Sequence, residues 1–297
     1  MPEDRRGATV LRARAVATPV LERAPLSLGR VVGATTGAAW IAFPDFVVAV
    51  TMGGSPLLPN GIALAHDAGA TRALRTGAPA ALAPGSVTAG TVRVEWDATD
   101  PPAWSPRTRG GWDGAPALGR YGRALLRACG VDDALGELER VAGPGARLVV
   151  AALAARDADV AAAAADALLG RGPGLTPAGD DALAAAAAVV ACAGRVAGWS
   201  DGARAAWLAA SCPRDAARRT TSLSATLLSL AARGLVAEPL ARALDARAAV
   251  ADAGARLLRL GHSTGRAYAL AAGLAATSLA APRTSSARPR RPPTKGA

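Results

Sequence analysis

A change of hydrophobic period near residue 100 constrains this chain more than any other feature. Before it, apolar residues alternate or gather in short runs. Residues 9–17 alternate in part, with Arg12 and Arg14 on one side and Ala13 and Ala15 on the other. Val92, Val94 and Trp96 alternate with Arg93 and Glu95, the pattern of a strand with one wet face. The apolar runs 40–43 and 46–51 are joined by Pro44-Asp45, a pair suited to the centre of a type I turn. Asn60-Gly61 signals a hairpin turn, with Ile62-Ala63-Leu64 behind it. Beyond residue 120 the spacing becomes helical and alanine-rich. Helices are predicted over 120–129, 132–141, 158–169, 182–193, 203–210, 222–233, 239–258 and 263–276, with Gly234 as a C-terminal cap. Residues 147–153 fit helix and strand alike.

The expectation is an α+β chain. A small β barrel or sandwich occupies residues 1–100, and a Pro/Gly/Trp-rich connection spans 101–119. A larger Ala-rich helical domain fills 120–281, and a disordered basic tail covers 282–297. With 297 residues and 51% hydrophobic content there is ample material for a core. Aromatics make up 3%, so that core rests on Ala, Leu and Val.

The net charge of +11 suggests a nucleic-acid partner until its location is checked. Arg283, Arg288, Arg290, Arg291 and Lys295 fall in a Pro/Ser-rich tail with no acid, and Lys295 is the only lysine. Nucleic acid is therefore not the expected partner. Cys129, Cys192 and Cys212 show no CxxC spacing and read as buried thiols of a reducing compartment. Near the N-terminus, Glu3, Asp4, Arg5 and Arg6 precede no apolar stretch of signal-peptide length. The longest uncharged apolar runs, 182–194 and 267–282, are too short for a membrane span. A cytoplasmic protein without a membrane partner is expected.

The segment 170–181 reads Gly-Arg-Gly-Pro-Gly-Leu-Thr-Pro-Ala-Gly-Asp-Asp, with four glycines and two prolines in twelve positions. Thr176 reads as an N-cap with Pro177 at the first helical position, which sets free N–H groups beside a glycine-rich turn. Two other helix starts share this character: 218–224 (Arg-Arg-Thr-Thr-Ser-Leu-Ser) and 261–265 (Gly-His-Ser-Thr-Gly). If the three converge, Gly172, Gly174, Thr176, Thr221, Ser222, Ser224 and Ser263 supply donors for a carboxylate or phosphate. Arg219 or Arg266 would then act as a bidentate clamp, and Asn60 and the 53–56 loop would add a fourth edge.

Asp180, Asp181 and His262 are the candidate catalytic groups. Each cluster also has a plainer reading, as helix caps, dipole-matching acids or a structural histidine; His66 reads as a surface residue. Two carboxylates beside an anion site repel the anion, so Asp180 and Asp181 should face an arginine, a divalent cation or a substrate amide. No His/Cys spacing suits zinc, magnesium on a carboxylate stays open, and the lysine of a P-loop is missing.

At this loop the sequence resembles a bacterial family, first catalogued as a domain of unknown function, that includes the AllH-type subunit of oxamate carbamoyltransferase. The resemblance rests on 172–181 (Gly-Pro-Gly-Leu-Thr-Pro-Ala-Gly-Asp-Asp). It is supported by 221–224, by Gly261-His262 and by 59–62 (Pro-Asn-Gly-Ile), with departures at Ala178 and Ala182. It implies a place in anaerobic purine and allantoin catabolism. A carbamoyl group would pass between oxalurate and phosphate, giving oxamate and carbamoyl phosphate, in an assembly of several subunits. A non-catalytic, anion-binding or scaffold subunit is the alternative.

Overall fold

The computed structural model describes residues 9–23, 27–65 and 73–282. His66 and the basic tail from residue 283 onward lie outside the described residues, as do residues 1–8. The chain begins with β1 (Thr9–Ala17), α1 (Thr18–Leu21), β2 (Ser27–Ala34), β3 (Ala38–Phe43), β4 (Phe46–Thr51) and β5 (Gly61–Leu64). It continues through β6 (Pro79–Ala83), β7 (Ser86–Ala89), β8 (Val92–Glu95) and β9 (Ala103–Trp104). Helices follow: α2 (Gly114–Ala128), α3 (Ala134–Ala142), α4 (Ala146–Ala155), α5 (Ala158–Leu168), α6 (Ala178–Ala193) and α7 (Asp201–Ser211). The last are α8 (Ser222–Ala232), α9 (Glu238–Ala243), α10 (Val250–Leu258) and α11 (Thr264–Ala280).

The strands form an α+β chain's β half as a closed barrel. Their order is β5-β4-β3-β2-β6-β7-β8-β1, and β1 pairs back to β5 through Ala13↔Leu64 and Val16↔Ile62. Closure removes the edges that a sheet of short strands would otherwise expose. β9 lies outside the ring, parallel to β1. Val92 and Val94 point into the barrel core while Arg93 faces water, as the alternation predicts.

Pro44-Asp45 joins β3 to β4 as a tight hairpin in which Phe43 pairs with Phe46. Asn60-Gly61 does not make a hairpin: β4 and β5 run parallel. Residues 52–60 must cross over to start β5, and the Asn60 side chain turns inward, donating to Val47 O at 2.8 Å. The strands β2, β6 and β7 went unsignalled because Gly, Ala and Pro dilute their β propensity.

Residues 147–153 are helical, within α4. α6 begins at Ala178 with Pro177 as its cap and no side-chain capping bond, so Thr176 is not the N-cap. Its hydroxyl meets Thr264 Oγ1 at 3.2 Å instead. The single helix expected over 239–258 is two, α9 and α10. The connection after β9 intervenes: Gly110 N–H donates to Leu244 O and Ala246 N–H to Gly110 O, both at 2.9 Å, so the next helical turn loses its partners.

Every residue of α6 from Ala178 to Val190 is buried. A helix apolar on all sides belongs at the centre of a bundle, and α11, α8 and α3 surround it. Among the described residues no helix is long and apolar enough to cross a membrane, and the three cysteines are free thiols.

α8 joins the two halves. Leu228 and Ala231 pack in the helical core, while Leu230 packs in the barrel core. A buried polar bond locks the junction: Val47 N–H donates to Thr226 Oγ1 at 3.1 Å, and that hydroxyl donates to Ser222 O at 2.9 Å. Thr226→Val keeps the shape but orphans the Val47 N–H, so urea unfolding should show a loss of about 1–3 kcal/mol. Thr226→Ser should retain most of that stability; equal losses in both variants would contradict the assignment.

Candidate functional site

The segment 170–176 leaves α5, folds over the start of α6 and stays exposed as far as Leu175. Its base is closed by Arg171 N–H to Leu168 O (2.9 Å) and Gly179 N–H to Arg171 O (3.0 Å). At Gly170 the backbone has φ +72°, and a Cβ would lie 2.5 Å from Arg219 O. Gly179 is helical, yet a Cβ there would lie 2.2 Å from Leu168 O. One glycine is thus required by both conformation and space, the other by space alone. Gly172 and Gly174 also have positive φ, at +114° and +93°.

Asp180 draws the loop toward α8. Its Oδ1 accepts from Gly170 N–H at 2.8 Å and its Oδ2 accepts from the Thr220 hydroxyl. Thr221 Oγ1 then donates to Leu175 O at 2.6 Å and caps α8 by accepting from Ser224 N–H at 3.0 Å. Ser224 Oγ reaches the same carbonyl at 3.5 Å. Asp181 faces the other way, toward α11, with the Thr264 hydroxyl and the Tyr268 phenol as its polar neighbours. These two lie one helical turn apart on α11, so they share a face.

The three segments therefore meet: 170–176 touches 220–224 through Leu175 and Asp180, and touches the start of α11 through Thr176 and Thr264. His262 is exposed two residues before Thr264, next to Ser263, which caps α11 without a side-chain capping bond. Asn60 sits apart in the barrel, fully buried, with its Oδ1 lacking a partner. It connects to α8 only through Val47.

Arg219 turns to α5, pairing with Asp166 at 2.8 Å and donating to Ala165 O at 3.3 Å. Arg266 pairs with Glu137 at 2.5 Å. Neither guanidinium is idle. Tyr268 and Thr264 were missed in the sequence; the signal was their i, i+4 spacing on a helix whose start was already marked.

Both aspartates are only 2% exposed. Burial pushes the Asp180 carboxyl above the usual range, against the bonds from Thr220, Gly170 and Ser224. Burial pushes Asp181 up to about 8; the hydroxyls of Thr264 and Tyr268 pull it down, while the Asp180 charge adds to the rise. Its Oδ2 is buried without a hydrogen-bond partner. Burial, and then Asp181 itself, raise the Tyr268 phenol well above its ordinary value. Burial thus favours the protonated form of Asp181, which blunts the carboxylate repulsion anticipated from the sequence.

Above this buried pair, the backbone N–H groups of Gly172, Gly174, Leu175 and Thr176 make no hydrogen bond among the described residues. The loop itself carries no carboxylate, and Ser222 is exposed at the neighbouring start of α8. Among the described residues no three His, Cys, Asp or Glu side chains gather as a metal-binding group.

The raised Asp181 pKa makes stability depend on pH. Between its ordinary 3.8 and about 8, the unfolded chain gives up the proton that the folded chain keeps. Stability should therefore fall as pH rises through that window, by up to about 1.4 kcal/mol per unit for one group, and level off above it. Asp181→Asn should make the fall shallower in urea unfolding between about pH 5 and 8. An unchanged slope would contradict the burial argument.

Residues 168–277 match the family model described as oxamate carbamoyltransferase subunit AllH. The matched stretch runs from the last residue of α5 to near the end of α11, and so contains all three converging segments. Neither the curated proteins nor the solved structures gave a match. Over those residues, the chain resembles the AllH subunit of oxamate carbamoyltransferase.

Proposed function

We propose that the chain is a subunit of a carbamoyltransferase-type enzyme acting on an oxalurate- or oxamate-like substrate. The observation that carries this reading is the family match over 168–277, the stretch that holds the loop and both hydroxyl-bearing helix starts. In the proposed reaction a phosphate oxygen attacks the carbamoyl carbon of oxalurate and the C–N bond breaks. The leaving nitrogen takes a proton and departs as oxamate, and carbamoyl phosphate remains. Such a transfer needs orientation and donors at the developing oxyanion rather than a covalent enzyme intermediate.

In this reading the amides of Gly172, Gly174 and Thr176, with the Ser222 and Ser263 hydroxyls, hold the phosphate or carboxylate. Asp180 and the hydroxyls of Thr221 and Ser224 keep the loop in place. Protonated Asp181 sits beneath the substrate without repelling it, and His262 moves the proton. The loop lies open to solvent, exposed from residue 170 to residue 175. That openness favours a site completed by another subunit, and it equally supports the second reading, an anion-binding subunit whose catalytic residues sit on its partner.

Combining the chain with the other subunits of such an enzyme, oxalurate and phosphate should yield carbamoyl phosphate. Ser222→Ala with Ser263→Ala should lower the rate by about tenfold or more while the fold persists. Turnover unchanged by that pair and by His262→Ala would remove these residues from the site. Calorimetric binding of phosphate or oxamate to the isolated chain, with no loss of activity in His262→Ala, would favour the second reading. No product from the complete mixture would overturn the reaction.

A further inference from the structure

On the other side of α9 lies a surface that the loop does not use. A cleft of about 350 Å³ opens between the 53–56 turn, α9 and α10, lined by Arg14, Arg242, Arg256 and Arg259 with Glu238 as its one acid. Glu238 is already engaged. Its Oε1 accepts from Arg242 Nε at 3.0 Å, and its Oε2 accepts from Leu57 N–H at 3.4 Å. Arg242 is thereby neutralised, and the carboxylate is anchored to the turn rather than open to the cleft.

Arg14 gives one N–H to Ser55 O at 3.2 Å. Arg256 and Arg259 form no ion pair among the described residues. Arg140, Arg147 and Arg195, by contrast, each pair with an acid. Three unneutralised guanidiniums facing one concavity repel each other and focus a positive field, a state relieved by a bound anion. Planar guanidinium forks match the oxygens of phosphoryl groups, as they do those of carboxylates.

This cleft runs into a second, of about 550 Å³, through the shared residues Glu238, Arg242 and Arg256. Half-buried Trp104 lines the second cleft. Its other charges are nearly balanced, with Arg107, Arg109 and Arg247 against Asp245 and Asp252. Of these, Arg109 pairs with Asp245 at 3.6 Å, and the larger positive excess lies at the Arg14–Arg256–Arg259 end.

We propose that the cleft between the 53–56 turn and α10 binds a small ligand carrying two or more linked phosphoryl groups, held by Arg14, Arg256 and Arg259. An inorganic polyphosphate and a nucleoside diphosphate share that chemistry. Trp104 is the surface on which an attached aromatic ring would lie. The site is separate from the glycine-rich loop, so its failure and that of the carbamoyl-transfer reading are independent.

The test is calorimetry on the full chain with pyrophosphate, ADP and inorganic phosphate at moderate salt. Pyrophosphate or ADP should bind, and inorganic phosphate should bind at least about tenfold more weakly. Arg256→Gln with Arg259→Gln should weaken the tighter ligand by about tenfold or more, with an unchanged melting temperature and the basic C-terminal residues intact. Arg14→Gln should act in the same direction. Preference for ADP together with fluorescence quenching that Trp104→Phe abolishes identifies the nucleotide. Equal affinity for pyrophosphate and ADP identifies the polyphosphate. Absence of binding by both, or binding indifferent to the arginine changes, overturns the proposal.

Discussion

A carboxylate taken out of water must be met by donors or give up its charge, and Asp180 meets this demand with groups from two distant parts of the chain. Its oxygens accept from Gly170 N–H and from the Thr220 hydroxyl. That one side chain closes the glycine-rich loop on α6 and draws in the lead-in to α8. The next residue, Asp181, reaches the start of α11. Two adjacent carboxyls pointing to different neighbours therefore fix three segments at once, and the glycines follow from how closely those backbones approach. Gly170 lies against Arg219 O and Gly179 against Leu168 O.

The same contacts divide the hydroxyls into two groups. Thr220, Thr221, Ser224 and Thr226 hold the protein together, through Asp180, Leu175 O and Val47. Ser222 lies exposed on the outer side of the same helix start. α8 carries both kinds, and its start is also linked to the barrel by the path Asn60–Val47–Thr226–Ser222. A barrel of short strands thus has a mechanical connection to a helix start some 160 residues away in sequence (Asn60 to Ser222).

Local pattern made much of this legible. β4 and β8 could be read from runs and alternation, and α8 from its hydroxyl start and the Gly234 cap, because each of those signals is set by neighbours in sequence. What escaped depends on partners far away. The Asn60-Gly61 pair has hairpin chemistry, yet a parallel crossing and an inward Asn60 override it. The break between α9 and α10 is imposed by Gly110 from outside the helix. The composition of the three helix starts raised convergence at the loop only as a condition, and the use of Arg219 and Arg266 was not legible at all, since their partners Asp166 and Glu137 lie on other helices. The arginine cleft was invisible for the same reason: Arg14 belongs to the barrel, while Arg256 and Arg259 lie at α10.

Hydrogen–deuterium exchange on the Asp180→Ala protein tests the central claim most directly. If the buried carboxyl joins the segments, exchange should quicken together in 169–176 and in 219–224 while the barrel strands keep their protection. Faster exchange confined to one of those segments, or no change in either, would contradict it.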